Sequence, residues 1–120
     1  MKLRLQSNSL RLRLTRREVE RLRDSGSVKE ALDFGDGEVL VYCLESRPEP
    51  GPVRAASSHG TVTVSLSREA AEAWAASEEV GIYAQSGRLT IAIEKDFRCL
   101  VPRPEDQDSD AYPNPGALRS

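Results

Sequence analysis

Four cations near the start of the chain alternate with apolar side chains, a spacing suited to binding an anion. If Ser7-Asn8 forms a two-residue turn, Arg4 lies opposite Arg11 and Lys2 lies opposite Arg13 on one face of a hairpin. Like charges that face each other across two strands cost about 0.2–1 kcal/mol per pair. We therefore expect this basic ribbon to bind an anionic ligand or an acidic protein surface, to be neutralised by nearby carboxylates, or to be simply solvated.

Nucleic acid is a further candidate for the basic ribbon, because Lys and Arg bind phosphate. The ribbon itself contains no aromatic residue on which a base could stack, which argues against single strands. A net charge of −2 also argues against indiscriminate binding to polyanions. Charge is unevenly distributed, however, with eight Lys or Arg against two Glu in residues 1–23, and six acidic against three basic residues in 94–110. Such asymmetry indicates a charged partner, or neutralisation of one end by the other.

Carboxylates provide a second candidate chemistry. The alternation places Glu30 on the inner, apolar face of its strand and opposite Cys43, where a raised pKa would suit an acid, a base or a ligand. The alternative is that the strand begins after Glu30, or that Glu30 lies at the mouth of the sheet. Glu94 and Asp96 could join Glu30 in holding a metal while the arginines hold phosphate. This combination would make the protein a small metal-dependent enzyme acting on a phosphorylated substrate.

The two cysteines, Cys43 and Cys99, do not form a recognisable site. A zinc site of two Cys and two His needs a second histidine, and His59 is the only one. A buried, inert thiol is the expected state of Cys43. Two cysteines are too few for a disulfide framework, and the sequence shows no continuous apolar segment after Met1. We expect a reduced, cytoplasmic protein with no cofactor and no membrane contact.

The elements that carry these residues are four hairpins and two short helices. Alternation predicts that Leu5 faces Leu10 in the first hairpin. It predicts three further turns, at Asp36-Gly37, His59-Gly60 and Ser86-Gly87, with Phe34 opposite Val39, Ser57 opposite Val62 and Ala84 opposite Leu89. A capping box at Thr15–Glu18 predicts the start of the first helix, and Gly26 its end; Ser67 predicts the start of the second.

The pattern occurs twice. A shift of 52 residues aligns residues 1–35 with 53–87 without a gap and matches, for example, Leu14 with Leu66 and Thr15 with Ser67. We therefore predict an α+β fold with an internally duplicated β-β-α-β-β repeat, about eight antiparallel strands and two short helices. A single domain is expected over residues 1–101, with repeat one at 1–45, a linker at 46–52 and repeat two at 53–97. An acidic, Pro-rich C-terminal tail follows at 102–120.

One helix, about 10 Å across, is too narrow to cover four strands spaced about 4.8 Å apart. The two halves must then share a core, either as facing sheets or as an eight-stranded barrel.

Several motifs resemble a family of short, uncharacterised bacterial proteins. They are Asn8–Thr15, Phe34-Gly35, Ile93-Glu-Lys-Asp-Phe-Arg-Cys-Leu100 and Glu105-Asp-Gln-Asp-Ser-Asp-Ala-Tyr-Pro-Asn-Pro115. The resemblance implies a bacterial, cytoplasmic protein and no particular activity. It draws attention to the polar residues of the last two motifs, which are Glu94, Lys95, Asp96, Asp106, Asp110, Tyr112 and Asn114.

The duplicated halves with two helices are also similar to the triphosphate tunnel enzymes, which hold a divalent metal with Glu, Lys and Arg. Those enzymes carry Glu-x-Glu-x-Lys in an N-terminal strand, whereas this chain reads Lys2-Leu-Arg-Leu-Gln6. The departure falls on the motif itself and weighs against an enzyme.

Three hypotheses follow. The first is a non-enzymatic binding or protein-interaction module that uses the basic ribbon. The second is the metal-dependent enzyme. The third is a homodimer in which the acidic tail of one chain pairs with the basic ribbon of another.

Overall fold

The computed structural model describes residues 1–96 and confirms an α+β fold. Within these residues the elements are β1 (Lys2–Gln6), β2 (Ser9–Leu14), α1 (Arg16–Ser25), β3 (Ser27–Asp33), β4 (Val39–Arg47), β5 (Arg54–Ser58), β6 (Thr61–Ser67), α2 (Arg68–Ala76), β7 (Gly81–Ser86) and β8 (Leu89–Lys95). No helix of this part of the chain has the length and apolar character needed to cross a bilayer. This sequence of elements contains the predicted order β-β-α-β-β twice, as a duplication would require.

Two of the four predicted hairpin registers are confirmed. In the first hairpin Leu5 lies opposite Leu10, and in the third Ser57 lies opposite Val62. The third turn uses His59 at φ 49° and Gly60 at φ 75°, the positive φ pair that a two-residue hairpin turn favours.

The second predicted register is wrong by one residue. Asp33 lies opposite Val39, and the backbone N–H of Phe34 donates to the carbonyl of Glu38 at 2.9 Å. The loop is wider than the predicted two-residue turn because the Asp33 carboxylate accepts from the N–H of Gly35 at 2.8 Å and organises the turn. As a result Glu30 pairs with Tyr42 rather than with Cys43.

The fourth predicted register is wrong by two residues. Ser86 lies opposite Leu89 and Ala84 lies opposite Ile91, so the turn is Gly87-Arg88 rather than Ser86-Gly87. Gly87 takes the positive φ of 61° at the first turn position. Because a slip of two residues preserves the alternation, each side chain stays on its predicted face.

Within residues 1–96 the strands form two four-stranded mixed sheets and no closed barrel. The first sheet has the order β1-β2-β8-β7 and the second has the order β3-β4-β6-β5. The central pairs, β2 with β8 and β4 with β6, are parallel, so the prediction of an entirely antiparallel arrangement is wrong. Each sheet joins the first hairpin of one half to the second hairpin of the other half. No turn connects the strands that meet at the centre, and they are free to run in the same direction.

A contiguous core unites the two halves. The side chains with at most 1% of their surface exposed come from both sheets and both helices: Leu12, Leu14, Leu22, Val28, Leu44, Val64, Leu66, Ala71, Ile91 and Ile93. Trp74 and Val19 add the predicted apolar edges of the helices. A core shared between the halves, as the width of the helices predicted, is thereby confirmed.

The predicted helix boundaries are confirmed by their caps. The Thr15 hydroxyl accepts from the N–H of Glu18, and the Glu18 carboxylate accepts from the N–H of Thr15 at 2.9 Å. At the other end Gly26 adopts φ 88° and donates to the carbonyl of Leu22. The Ser67 hydroxyl accepts from the N–H of Ala70 at 3.1 Å at the start of α2.

The connection between the halves is shorter than the sequence predicts. β4 continues through Arg47, two residues into the predicted linker. The Arg47 guanidinium donates to the Ser65 hydroxyl at 2.7 Å and to the carbonyl of Pro52, which holds the connection against β6. Val53, the counterpart of Met1 in the 52-residue shift, is buried at the end of the connection, just before β5.

The first hairpin provides a matched test of the core. Leu12 and Leu5 lie on the same face, but Leu12 is 1% exposed and Leu5 is 61% exposed. We expect Leu12→Ala to lower the free energy of unfolding by about 2–5 kcal/mol, because it removes buried methyl groups and leaves a cavity. Leu5→Ala should cost less than about 0.5 kcal/mol. Urea unfolding followed by circular dichroism measures both, and equal costs would contradict the placement of the core.

Candidate functional site

The basic ribbon lies on the outer face of the first sheet, in its predicted register. Lys2 faces Arg13 and Arg4 faces Arg11 across β1 and β2. The parallel neighbour β8 then places Glu94 next to Arg13. The ribbon therefore has an acidic residue beside it that comes from the other end of the described chain.

Glu94 organises two of the four cations. Its Oε1 lies 3.3 Å from Nε of Arg11 and 3.5 Å from Nε of Arg13, and its side chain is largely buried between them. The Tyr83 hydroxyl, from β7, donates to Oε2 of Glu94 at 2.8 Å. This hydrogen bond to a carboxylate, more than burial, raises the pKa of Tyr83. One carboxylate thus holds side chains from three strands together.

Neutralisation of the ribbon by neighbouring carboxylates is only partial. Lys2 pairs with Asp96, Nζ to Oδ2, at 3.1 Å, just after the end of β8. Within residues 1–96, Arg4 makes no ion pair. Four cations therefore share two carboxylates, and the face keeps an excess of positive charge.

A cleft of about 250 Å³ opens between the first hairpin and β7 on this face. Its walls carry two guanidinium groups, a phenol, small polar groups and two apolar residues, from Arg4, Gln6, Ser9, Leu10, Arg11, Tyr83, Thr90 and Ala92. Sequence reasoning missed Tyr83, which is 62% exposed. Alternation in residues 81–86 places Tyr83 on the polar face of its own hairpin, but it carries no information about which hairpin lies alongside.

Glu30 occupies a different place. It lies on the inner face, as predicted, and its Oε1 accepts from the amino group of Met1 at 2.6 Å. Glu18 accepts from the same amino group, and the Tyr42 hydroxyl donates to the carbonyl of Met1 at 3.2 Å. The 52-residue shift matches Glu18 with Ala70 and Glu30 with Ile82, where Val53 replaces Met1. The carboxylates of Glu18 and Glu30 therefore occur only in the first half, where they pair with the buried amino group of Met1.

The charges of this cluster stabilise one another. Burial alone would lower the pKa of the Met1 amino group, but its hydrogen bonds to Glu18 and Glu30 outweigh burial and raise it above the ordinary 8.0. Burial would likewise raise the pKa of Glu18, but hydrogen bonds from Met1 and from the N–H of Thr15 lower it below the ordinary 4.5. Glu18 thus serves both as helix cap and as counter-ion.

The arrangement of carboxylates does not form a metal centre in the described residues. Glu30 pairs with Met1, Glu94 with the arginines and Asp96 with Lys2, so each one contacts a different cation. Across residues 1–96, no group of three or more His, Cys, Asp or Glu side chains could hold a metal ion. The three carboxylates expected to share a metal therefore do not converge within residues 1–96.

Two of the remaining candidates, Cys43 and Lys95, are packed against other parts of the fold, and the others lie outside the described residues. Cys43 is buried, and burial raises the pKa of its thiol, which disfavours the nucleophilic thiolate. Lys95 donates from Nζ to the carbonyl of Ser77 at 2.7 Å and lies 5.5 Å from the ring centroid of Trp74. The other predicted residues, Cys99, Asp106, Asp110, Tyr112 and Asn114, fall outside the described residues.

Comparison with known proteins adds a family but no activity. A protein-family model matches residues 1–116, and it is described as a family of unknown function, DUF7009. No curated protein and no solved structure matches the chain. The resemblance to a family without a known activity is thereby confirmed.

The Met1 cluster predicts a pH dependence. Glu18→Gln keeps a hydrogen-bonding group at the cap but removes the charge, and it should lower the free energy of unfolding by about 1–3 kcal/mol at neutral pH. The contribution of Glu18 is complete above pH 4.5 and is lost as the pH falls through its lowered value. That of the amino group is complete below pH 8.0 and is lost as the pH rises through its raised value.

The difference between wild type and Glu18→Gln should therefore be largest between these two limits and shrink on both sides. Urea unfolding across the pH range measures it. Glu20→Gln, on the same helix but in an exposed pair with Arg16 at 3.8 Å, is the control and should cost less than about 0.5 kcal/mol. A pH-independent difference for Glu18→Gln would contradict the ion pair.

The role of Glu94 as organiser can be tested without a ligand. Glu94→Gln removes the negative charge that accepts from the Tyr83 hydroxyl, so the pKa of Tyr83 should fall back toward its ordinary value of 10.0. Nuclear magnetic resonance titration of ¹³C-labelled tyrosine rings measures this pKa, with Tyr83→Phe to assign the signal. The pKa of Tyr42, raised by burial, should not move. If the pKa of Tyr83 were the same in Glu94→Gln as in the wild type, the Tyr83 hydroxyl would not contact Glu94 in solution.

Proposed function

The chain belongs to this family of unknown function, and we propose that it is a non-enzymatic interaction module that binds acidic side chains of a partner protein. The binding surface is the outer face of the first sheet, with the basic ribbon and Tyr83. The partner's carboxylates take up the positive charge that Glu94 and Asp96 leave uncompensated.

One observation carries the proposal: Arg4, Arg11 and Tyr83, from three strands, line a single cleft. Both contacts to Glu94 are made by Nε, and the Arg11 and Arg13 side chains remain 40% and 45% exposed. Within residues 1–96 neither guanidinium donates a hydrogen bond, so their donors are available to a carboxylate in the bidentate geometry that Arg favours.

The size of the cleft favours a partner's side chain over a free small molecule. Pockets for small ligands typically measure about 300–1,000 Å³, and this one is smaller. Tyrosine and arginine are also the residues that contribute most often to hot spots at protein interfaces. An Asp or Glu side chain is small enough to enter the cleft that Arg4 and Arg11 line.

A polynucleotide fits the same face less well. Glu94 and Asp96 lie among the cations, where they would repel a continuous line of phosphates. Among the described residues, Tyr83 is the one aromatic side chain that lines the cleft, whereas sequence-tolerant binding of single strands uses several stacked bases.

Binding of a synthetic oligoglutamate peptide tests the proposal. We expect fluorescence anisotropy to detect binding at low ionic strength that weakens as salt screens the charges. Arg4→Glu and Arg11→Glu should each weaken it by about tenfold or more, equivalent to at least about 1.4 kcal/mol. Oligolysine should not bind.

Arg54→Glu provides the matched control. Arg54 is the counterpart of Lys2 in the 52-residue shift and lies on β5 of the second sheet. Its substitution by Glu therefore makes the same charge change away from the site. It should leave the affinity within about twofold of wild type, since only long-range charge is altered. Equal losses of affinity from Arg54→Glu and Arg11→Glu would show that the peptide responds only to the net charge of the protein and would contradict a specific site. Tighter binding of single-stranded DNA than of the peptide would favour nucleic acid instead.

A further inference from the structure

A second concave surface, separate from the basic ribbon, lies beside the two helices. It is an open groove of about 1010 Å³ formed by Leu14, Thr15, Arg16, Arg17, Val19, Glu20, Arg23, Ala75, Lys95 and Asp96. Its apolar lining includes Ala75, which is half-buried, beside Leu14 and Val19, which are buried in the core. Four cations and two carboxylates surround this lining, so the groove is apolar in part and positively charged overall.

The groove's own carboxylates do not compensate its cations. The pair of Arg16 with Glu20 spans 3.8 Å, and the Arg16 side chain is 95% exposed, which makes the pair weak. Arg17 makes no ion pair within residues 1–96. Arg23 pairs with Asp24, which does not line the groove.

The described part of the chain ends in this groove. Asp96, the last described residue, lines it, and its N–H donates to the carbonyl of Leu14 at 2.8 Å. Twenty-four residues follow in the sequence. They begin with Phe97, Arg98, Cys99, Leu100 and Val101, of which three are large apolar residues. Pro102-Arg-Pro104 follows, and then an acidic stretch, Glu105–Asp110, which contains four carboxylates.

The order of these residues matches the groove. Eight residues separate Asp96 from Glu105, and at about 3.3–3.6 Å per extended residue they can span nearly 30 Å. α1, which carries three of the four cations, has ten residues and is about 15 Å long, so the connecting residues are long enough for the acidic stretch to reach it. The family match continues through residue 116, so these residues belong to the same family unit as the groove.

We propose that the groove between α1 and α2 is the docking site for residues 97–110 of the same chain. Apolar side chains of 97–101 pack on the half-buried Ala75 beside Val19, and the carboxylates of Glu105–Asp110 pair with Arg17 and its cationic neighbours. The basic ribbon is the weaker competitor, because Glu94 and Asp96 already pair with three of its four cations. This inference does not depend on the proposed function, which concerns the other surface.

The positions of the lysines make a direct test. Lys2, Lys29 and Lys95 are the only lysines in the sequence, and they lie respectively on the basic ribbon, on β3 and in the groove. A carbodiimide joins a lysine amine to a carboxylate in contact with it, with loss of water and no spacer. On the full chain, mass spectrometry should find Glu105–Asp110 cross-linked chiefly to Lys95. Predominant cross-links to Lys2, equal yields at the three lysines, or no cross-link to Lys95 would each overturn the proposal.

Two charge reversals on one helix separate docking from general electrostatics. Arg17→Glu should lower the yield at Lys95 several-fold, because it reverses a charge that holds the carboxylates. Arg21→Glu makes the same change on α1 outside the groove and should leave the yield unchanged. Circular dichroism confirms that both variants are folded. Equal effects of the two variants would contradict a specific site.

The same experiment distinguishes docking within a chain from docking between chains. When ¹⁴N- and ¹⁵N-labelled protein are mixed, cross-links within one chain contain a single isotope, and this is the expected result. Mixed-isotope cross-links to Lys95 would instead show that the segment docks on a second copy. That outcome would overturn the intramolecular proposal and favour the homodimer.

Discussion

The parallel contact between β2 and β8 is the constraint on which the rest of the structure depends. It joins two hairpins that are distant in sequence, and its counterpart between β4 and β6 does the same in the other sheet. Because each sheet takes one hairpin from each half, neither half contains a complete sheet. The apolar faces can then be buried only when both halves are present, which explains the contiguous core.

The same contact determines the chemistry of the candidate site. β8 brings Glu94 to Arg11 and Arg13, and its antiparallel partner β7 brings Tyr83 to Glu94. The like charges of the first hairpin are thus relieved from the far end of the described chain. The relief is incomplete, since Arg4 makes no ion pair within residues 1–96 and Arg11 and Arg13 share one carboxylate. A surface that keeps this excess of positive charge suits an anionic partner.

The two halves share a pattern of elements but differ in charge. Around Met1 two carboxylates neutralise a buried amino group, while the corresponding positions near Val53 hold Ala70 and Ile82. The basic ribbon likewise belongs to one half only, because its counterparts in β5 and β6 carry a single charge at Arg54. Recognition is therefore proposed for one sheet, although the same order of elements builds both.

Sequence alone determined the features that arise from interactions between near neighbours. Alternation placed the basic ribbon in its correct register, and the Thr15–Glu18 capping box marked the start of α1, because each depends on residues a few positions apart. The register of the second hairpin was predicted wrongly, because the Asp33 side chain accepts a hydrogen bond within the loop and changes the turn. Tertiary structure alone decided that the central strands run parallel and that Tyr83 and Glu94 join the ribbon. The physical reason is that strand alternation specifies which face is apolar but not which distant strand will lie beside it, a choice made by burial of the whole core.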